Sequence, residues 1–118
     1  MQMTVQECYE SMESDFESVL GRMGSEGMVK RFALKFLDDP SFSNLEKAVE
    51  GQNAEEAFRA AHTLKGICLN LGLDRLYKVS AELTEKLRGR EFNGYEESYQ
   101  DVQKEYQNTI NAIRKIDE

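Results

Sequence analysis

The sequence holds one proline, one histidine, two cysteines and no apolar run approaching a membrane span. Each scarcity excludes something. A single proline, with glycines falling mostly between periodic stretches, points away from a turn-rich β protein. Cys8 and Cys68 are too few for a disulfide framework and fit a reducing compartment. A spanning helix needs about 20 consecutive apolar residues. The N-terminus, Met-Gln-Met-Thr-Val-Gln-Glu, lacks the basic start and apolar stretch of a signal peptide. Basic residues are outnumbered, 15 Lys plus Arg against 22 Asp plus Glu, for a net charge of −7. A nucleic-acid binder needs a basic face for the phosphates, so that class is disfavoured. The expectation is a cytoplasmic protein with no membrane or nucleic-acid partner. At 118 residues the chain supports one core, not a nucleotide-binding domain beside a substrate domain.

What is present is helical periodicity. Residues 4–20 carry Val5, Tyr9, Met12, Phe16 and Leu20 at helical spacing, predicting one amphipathic N-terminal helix. Gly21, Gly24 and Gly27 are expected to break the chain after it. From Glu26 to Asp38 the inward set is Val29, Phe32, Ala33, Phe36 and Leu37, and Pro40 ends the helix. A shorter helix, Ser43–Glu50, follows with Leu45, Ala48 and Val49. Asn53 is a good N-cap, and Glu55 and Glu56 suit the first turn. The helix it opens buries Ala57, Ala61, Leu64, Cys68 and Leu71. The next, after Gly72, buries Leu73, Leu76, Ser80, Leu83 and Leu87. The last, from Asn93, buries Tyr99, Val102, Tyr106, Ile110 and Ile113. Three helices of about 17 or more residues with short joints run antiparallel, and the 26–50 segment supplies a fourth. The fold class is therefore all-α: an antiparallel four-helix bundle over 26–118 with an additional N-terminal helix, in one domain.

The single histidine, His62, sits in the middle of the central helix. Stepping about 100° per residue from Ala57, the core face centres near 0° and His62 falls near 140°. Arg59, Lys65 and Gly66 share the outer surface, and Phe58 and Leu69 flank the histidine one turn before and two turns after. Neutral imidazole is a good nucleophile near pH 7. Lys65, three residues on, is placed to neutralise oxygens added to the ring. Gly66 removes a side chain that would crowd it, although mid-helix glycine costs about 1 kcal/mol against alanine. Arg59 is a further candidate from its spacing. On these residues alone a solvated surface histidine, or a glycine that admits a neighbouring helix, stays open. A metal site lacks a second histidine, with Cys68 facing the core. A hydrolase lacks a nucleophile beside the imidazole.

Charge is uneven along the chain. Residues 57–90 hold seven basic residues against three acidic ones, on a chain that is acidic overall. A basic face with exposed Phe58 and Leu69 suits an acidic, partly apolar protein surface.

Ala61-His62-Thr63-Leu64-Lys65-Gly66, then Leu71-Gly72, Leu76 and Leu83 in fixed register, closely resembles the histidine-containing phosphotransfer domains of multistep phosphorelays. The match is strongest over 58–88. The resemblance implies that His62 accepts a phosphoryl group, Lys65 sits beside its oxygens, Gly66 leaves room for them and Gly72 closes the helix. Arg88 falls where some members carry a basic residue near the site. Thr84 stands where the family often has an acidic or amide residue, so no hydrogen-bonding role is assigned there. The implied partners are response-regulator receiver domains and a hybrid or cognate histidine kinase. Mg²⁺ is expected on the receiver rather than on this chain. There is no Gly-rich phosphate loop for ATP, so a carrier without autokinase activity is expected, monomeric and free-standing. The competing expectation is a helical adaptor that binds the same partners without taking phosphate.

Overall fold

A computed structural model of the protein describes residues 2–116. The expected ends of the chain at 1, 117 and 118 lie outside the described residues. The described chain forms seven α-helices: α1 Val5–Ser11, α2 Phe16–Met23, α3 Glu26–Lys35, α4 Ser41–Glu50, α5 Ala54–Leu71, α6 Asp74–Lys86 and α7 Glu96–Ile113. A single 3-10 turn, Phe36–Asp38, extends α3. None of these helices is long and apolar enough to cross a membrane.

Helices α4 to α7 make the antiparallel four-helix bundle. Joints of a few residues link α4 to α5 and α5 to α6, so each helix turns back along its predecessor. α5 packs against α4 on one side and α6 on the other, and α7 lies against α6. Phe42 of α4 stacks on Tyr106 of α7, their ring centroids 3.9 Å apart, which joins the first member to the last. The fourth member is α4 alone; α3 is a separate helix beside α5. α6 is shorter than expected at 13 residues. A connection through Gly89 and Gly94 replaces its last turn, and α7 starts at Glu96 rather than Asn93. Asn93-Gly94, a pair that would mark a hairpin in a β protein, makes the turn ahead of α7 with Gly94 at φ 65°.

The N-terminal region differs most from expectation. Residues 4–20 form two helices, because Glu13 adopts a left-handed φ of 57° and Asp15 caps a new start by accepting from the Ser18 N–H at 3.1 Å. Val5, Tyr9, Met12 and Phe16 are buried as expected, since the break preserves their spacing. Gly21 and Gly27 lie inside α2 and α3; only Gly24, at φ 91°, ends a helix. On α3, Val29 and Ala33 are buried but Phe32 is 37% exposed, a correction to its expected place in the core. The helix presents only a narrow stripe to α1, α2 and α5.

α1 and α2 close the end of the bundle where α5 stops. Tyr9 Oη donates to the Leu71 carbonyl at 2.6 Å, and Arg22 Nη2 donates to the carbonyls of Leu69 and Asn70 at 3.2 Å each. These carbonyls lie in the last turn of α5, where the helical i→i−4 ladder runs out and only Leu69 keeps a backbone partner, the Gly72 N–H at 3.3 Å; the guanidinium also faces the negative end of the helix dipole. Gly72 ends α5 at φ 68°, and a Cβ there would overlap Val19 of α2.

Candidate functional site

α5 starts where Asn53 accepts the Glu56 N–H at 3.1 Å and continues for 18 residues without a break. Ala57, Ala61, Leu64, Cys68 and Leu71 are buried, and His62 is exposed on the outer face. Ala60 is buried too, under α4, and was outside the expected set.

The residues beyond His62 define an open surface. A Cβ on Gly66 would find no atom within 4 Å. Among the described residues no other helix comes within 4 Å of that position, so admission of a neighbouring helix does not explain the glycine. Leu69, one turn on, is 53% exposed. Among the described residues only Met28 and Phe32 of α3 join it as exposed large hydrophobic side chains. Lys65 is half-buried on the α6 side. The carboxyl of Glu85 on α6 is held below the usual carboxylate range, first by its hydrogen bond from Arg88 and further by the charge of Lys65.

Three basic side chains around His62 find partners within the chain. Arg59 turns its guanidinium to Glu55 at 3.0 Å and Glu56 at 3.3 Å, within its own helix. Arg88 is engaged by Glu85, with Nε at 3.0 Å and Nη2 at 2.5 Å from its two oxygens. Arg90 lays its guanidinium carbon 3.9 Å from the centre of the Phe58 ring, with Arg88 5.6 Å from the same ring. Phe58 is therefore covered, at 8% exposure, and its expected place on the exposed apolar surface is corrected. Its ring instead stands 6.0 Å from the His62 ring. Arg90 carried no local signal beyond its charge, because it reaches Phe58 across the α6–α7 connection.

Thr84 is buried and donates to the Ser80 carbonyl at 2.7 Å, so its hydroxyl is used on its own helix. Among the described residues no three His, Cys, Asp or Glu side chains gather as a metal-binding cluster. A depression of about 670 Å³ forms a polar groove between α4 and α5, lined in part by Lys47, Glu56, Arg59 and Thr63. His62 is not in it. A histidine standing on a convex helix face beside a bare glycine meets a protein surface more readily than it encloses a small molecule.

An all-α bundle with one solvent-facing histidine on its central helix is the architecture of a protein that presents a side chain to partners. A family model for the Hpt domain matches residues 39–115, which span α4 to α7 and well over half of the chain. The chain belongs to the Hpt domain family. No curated protein and no solved structure matches it significantly. Hpt domains act in phosphorelays by histidine phosphotransfer, as phosphoryl carriers rather than autokinases, and they interact with receiver domains and histidine kinases.

Proposed function

We propose that His62 is the phosphoryl-carrying residue, taking its phosphoryl group from a receiver phosphoaspartate and handing it to the aspartate of another receiver. The observation that carries this reading is the surface around His62. An exposed imidazole is followed one turn on by a glycine that nothing in the chain requires, with Lys65 between them. The receiver docks over this face, with Leu69 as apolar contact and Arg88 at the rim. An imidazole nitrogen (Nε2 in the family) attacks phosphorus in line with the aspartyl oxygen. The N–P bond forms as the P–O bond breaks, and the electron pair leaves on the aspartate carboxylate. Reversal on a second receiver regenerates free imidazole. Such transfers depend on positioning and charge stabilisation. Lys65 faces the phosphoryl oxygens, and Gly66 gives them and the incoming receiver space. We place the Mg²⁺ of the reaction on the receiver, and read the chain as a monomeric carrier working in the cytoplasm. Arg59 can join only by leaving Glu55 and Glu56, exposed pairs of a few tenths of a kcal/mol each.

The test is incubation with receiver domains charged by acetyl phosphate in Mg²⁺, followed by intact mass. One added phosphoryl group, acid-labile and base-stable, is expected in the wild type and not in His62→Gln, which still binds the receiver. Binding without any gain of mass across a broad receiver panel overturns the reading in favour of an adaptor.

A further inference from the structure

We propose that Arg90 is the guanidinium that covers the phosphoryl group on His62, and that Phe58 is the platform that positions it. The proposal rests on the reading of His62 as the carrier. Arg90 lies in the α6–α7 connection with a left-handed φ of 58°. A non-glycine residue adopts that conformation at a cost of about 1 kcal/mol or more, so the surroundings must hold it. They do: its N–H donates to the Leu87 carbonyl at 2.9 Å, and its Nη1 donates to the Arg88 carbonyl at 2.6 Å. The result is a planar cation whose central carbon stands 3.9 Å over the centre of the Phe58 ring. Guanidinium is weakly hydrated and stacks well on aromatic faces. Phe58 is on the same helix as His62 and one turn before it, its ring tilted against the imidazole. Guanidinium, phenyl and imidazole thus form a row ending at the proposed phosphoryl acceptor.

The other arginines of this region are engaged by carboxylates. Arg59 holds Glu55 and Glu56, Arg75 reaches Glu13 and Glu105, and Arg88 holds Glu85. Arg90 has no carboxylate partner among the described residues, and most of its five N–H donors are uncommitted. A phosphoryl group on His62 supplies the missing anion, with oxygens that a guanidinium can take in pairs. In this assignment the guanidinium moves from its place over the Phe58 ring, which neighbours the imidazole, to the phosphoryl oxygens by a change of side-chain rotamer. Register in the sequence favours Arg88 for a basic residue near the site; the ion pair with Glu85 favours Arg90.

A guanidinium that pairs with the phosphoryl oxygens, away from any in-line nucleophile, holds them in charge-assisted hydrogen bonds and shields the phosphorus of the carried state from water. Its loss therefore hastens hydrolysis. The experiment charges the full-length chain from a receiver, removes the receiver, and follows loss of the phosphoryl group by intact mass at low and high salt. Arg90→Gln should shorten the half-life about threefold to tenfold at low salt and flatten its salt dependence. Arg90→Lys, which keeps the charge without the planar fork, should fall between Arg90→Gln and wild type. Phe58→Leu should mimic Arg90→Gln, and the double variant should be no worse than Arg90→Gln alone. Lys104→Gln, on exposed α7, removes one charge elsewhere and should change nothing. An unchanged half-life in Arg90→Gln, or equal shortening in Lys104→Gln, overturns the assignment and leaves the carrier reading intact. A wild type that never gains an acid-labile phosphoryl group overturns the carrier reading and the assignment together.

Discussion

Gly66 and the cysteines show how single residues divide between stability and chemistry. Glycine inside a helix costs about 1 kcal/mol against alanine, and a Cβ at Gly66 meets nothing in this chain. Gly66→Ala should therefore raise unfolding free energy by about 0.5–1 kcal/mol in urea titrations, while slowing phosphoryl uptake from a charged receiver. A stabilised variant with unimpaired uptake would show that the space over Gly66 is not used. Cys8 and Cys68 act on stability alone. Both are free and buried, and burial pushes the Cys8 thiol up to about 11 and the Cys68 thiol higher still. An unfolded chain loses these protons near the ordinary thiol value, about 8.5. Between there and pH 11 the native state holds more protons than the unfolded state, so stability falls as pH rises. The Cys8 contribution is intact below pH 8 and is lost progressively up to about pH 11, amounting to about 3 kcal/mol at its fullest. Urea unfolding at stepped pH should show this decline, and Cys8→Ala should flatten part of it. A stability flat from pH 8 to 11 in the wild type would contradict the burial of these thiols.

The helices were legible in the sequence wherever their order is local. On α5, a cap at Asn53 and an unbroken 18-residue run let angular counting place His62, Gly66 and Leu69 on the outer face. Counting failed where contacts come from distant parts of the chain. Phe58 is about 100° from the core by position, yet a connection some thirty residues later folds Arg90 over it. The break at Glu13 was hidden because Met12 and Phe16 keep helical spacing across it. What fixes that break is partly remote: the Asp15 N–H donates to Asp74, and the Asp74 N–H donates to Ser14, each at 3.3 Å. Arg59 had a visible signal, carboxylates three and four residues before it, which outweighs its proximity to His62 in the free chain. The joint at Gly72 combines local and remote requirements and yields an element-scale prediction. Gly72→Ala places a Cβ in a left-handed residue, about 1–2 kcal/mol, and drives it into Val19, typically another 1–3 kcal/mol. A loss of at least about 2 kcal/mol is expected in urea. Adding Val19→Ala should recover the steric share only, so the two substitutions should couple favourably in a double-mutant cycle. Additive losses would mean that α2 does not press on the α5–α6 joint.

At the scale of the whole molecule, the segment that defines the family and the unit that folds are different. The family match begins at residue 39, just before α4, whereas the core does not stop there. Val5, Tyr9, Met12, Phe16, Val19, Val29 and Phe36 belong to the same buried cluster as Leu64, Leu76 and Ile113. Each large buried side chain contributes about 1.5–3 kcal/mol, against a total stability of about 5–15 kcal/mol for a domain. Removing residues 1–38 also strips the Leu71, Leu69 and Asn70 carbonyls of their Tyr9 and Arg22 donors at the end of the histidine-bearing helix. A fragment starting at residue 39 is therefore expected to lose the cooperative thermal transition of the full chain, read by circular dichroism at 222 nm, and to expose Cys68 to thiol reagents. If the fragment melts cooperatively near the full-length midpoint, α1–α3 are an appendage and the bundle supports α5 alone. The milder variant Tyr9→Phe separates the two contributions. It keeps the buried ring but removes the donor to Leu71, and should cost about 1–2 kcal/mol. Loss of the transition in the fragment with only this modest loss in Tyr9→Phe would assign most of the stabilisation to apolar burial by the N-terminal helices, with the hydrogen bond serving chiefly to align them on the end of α5.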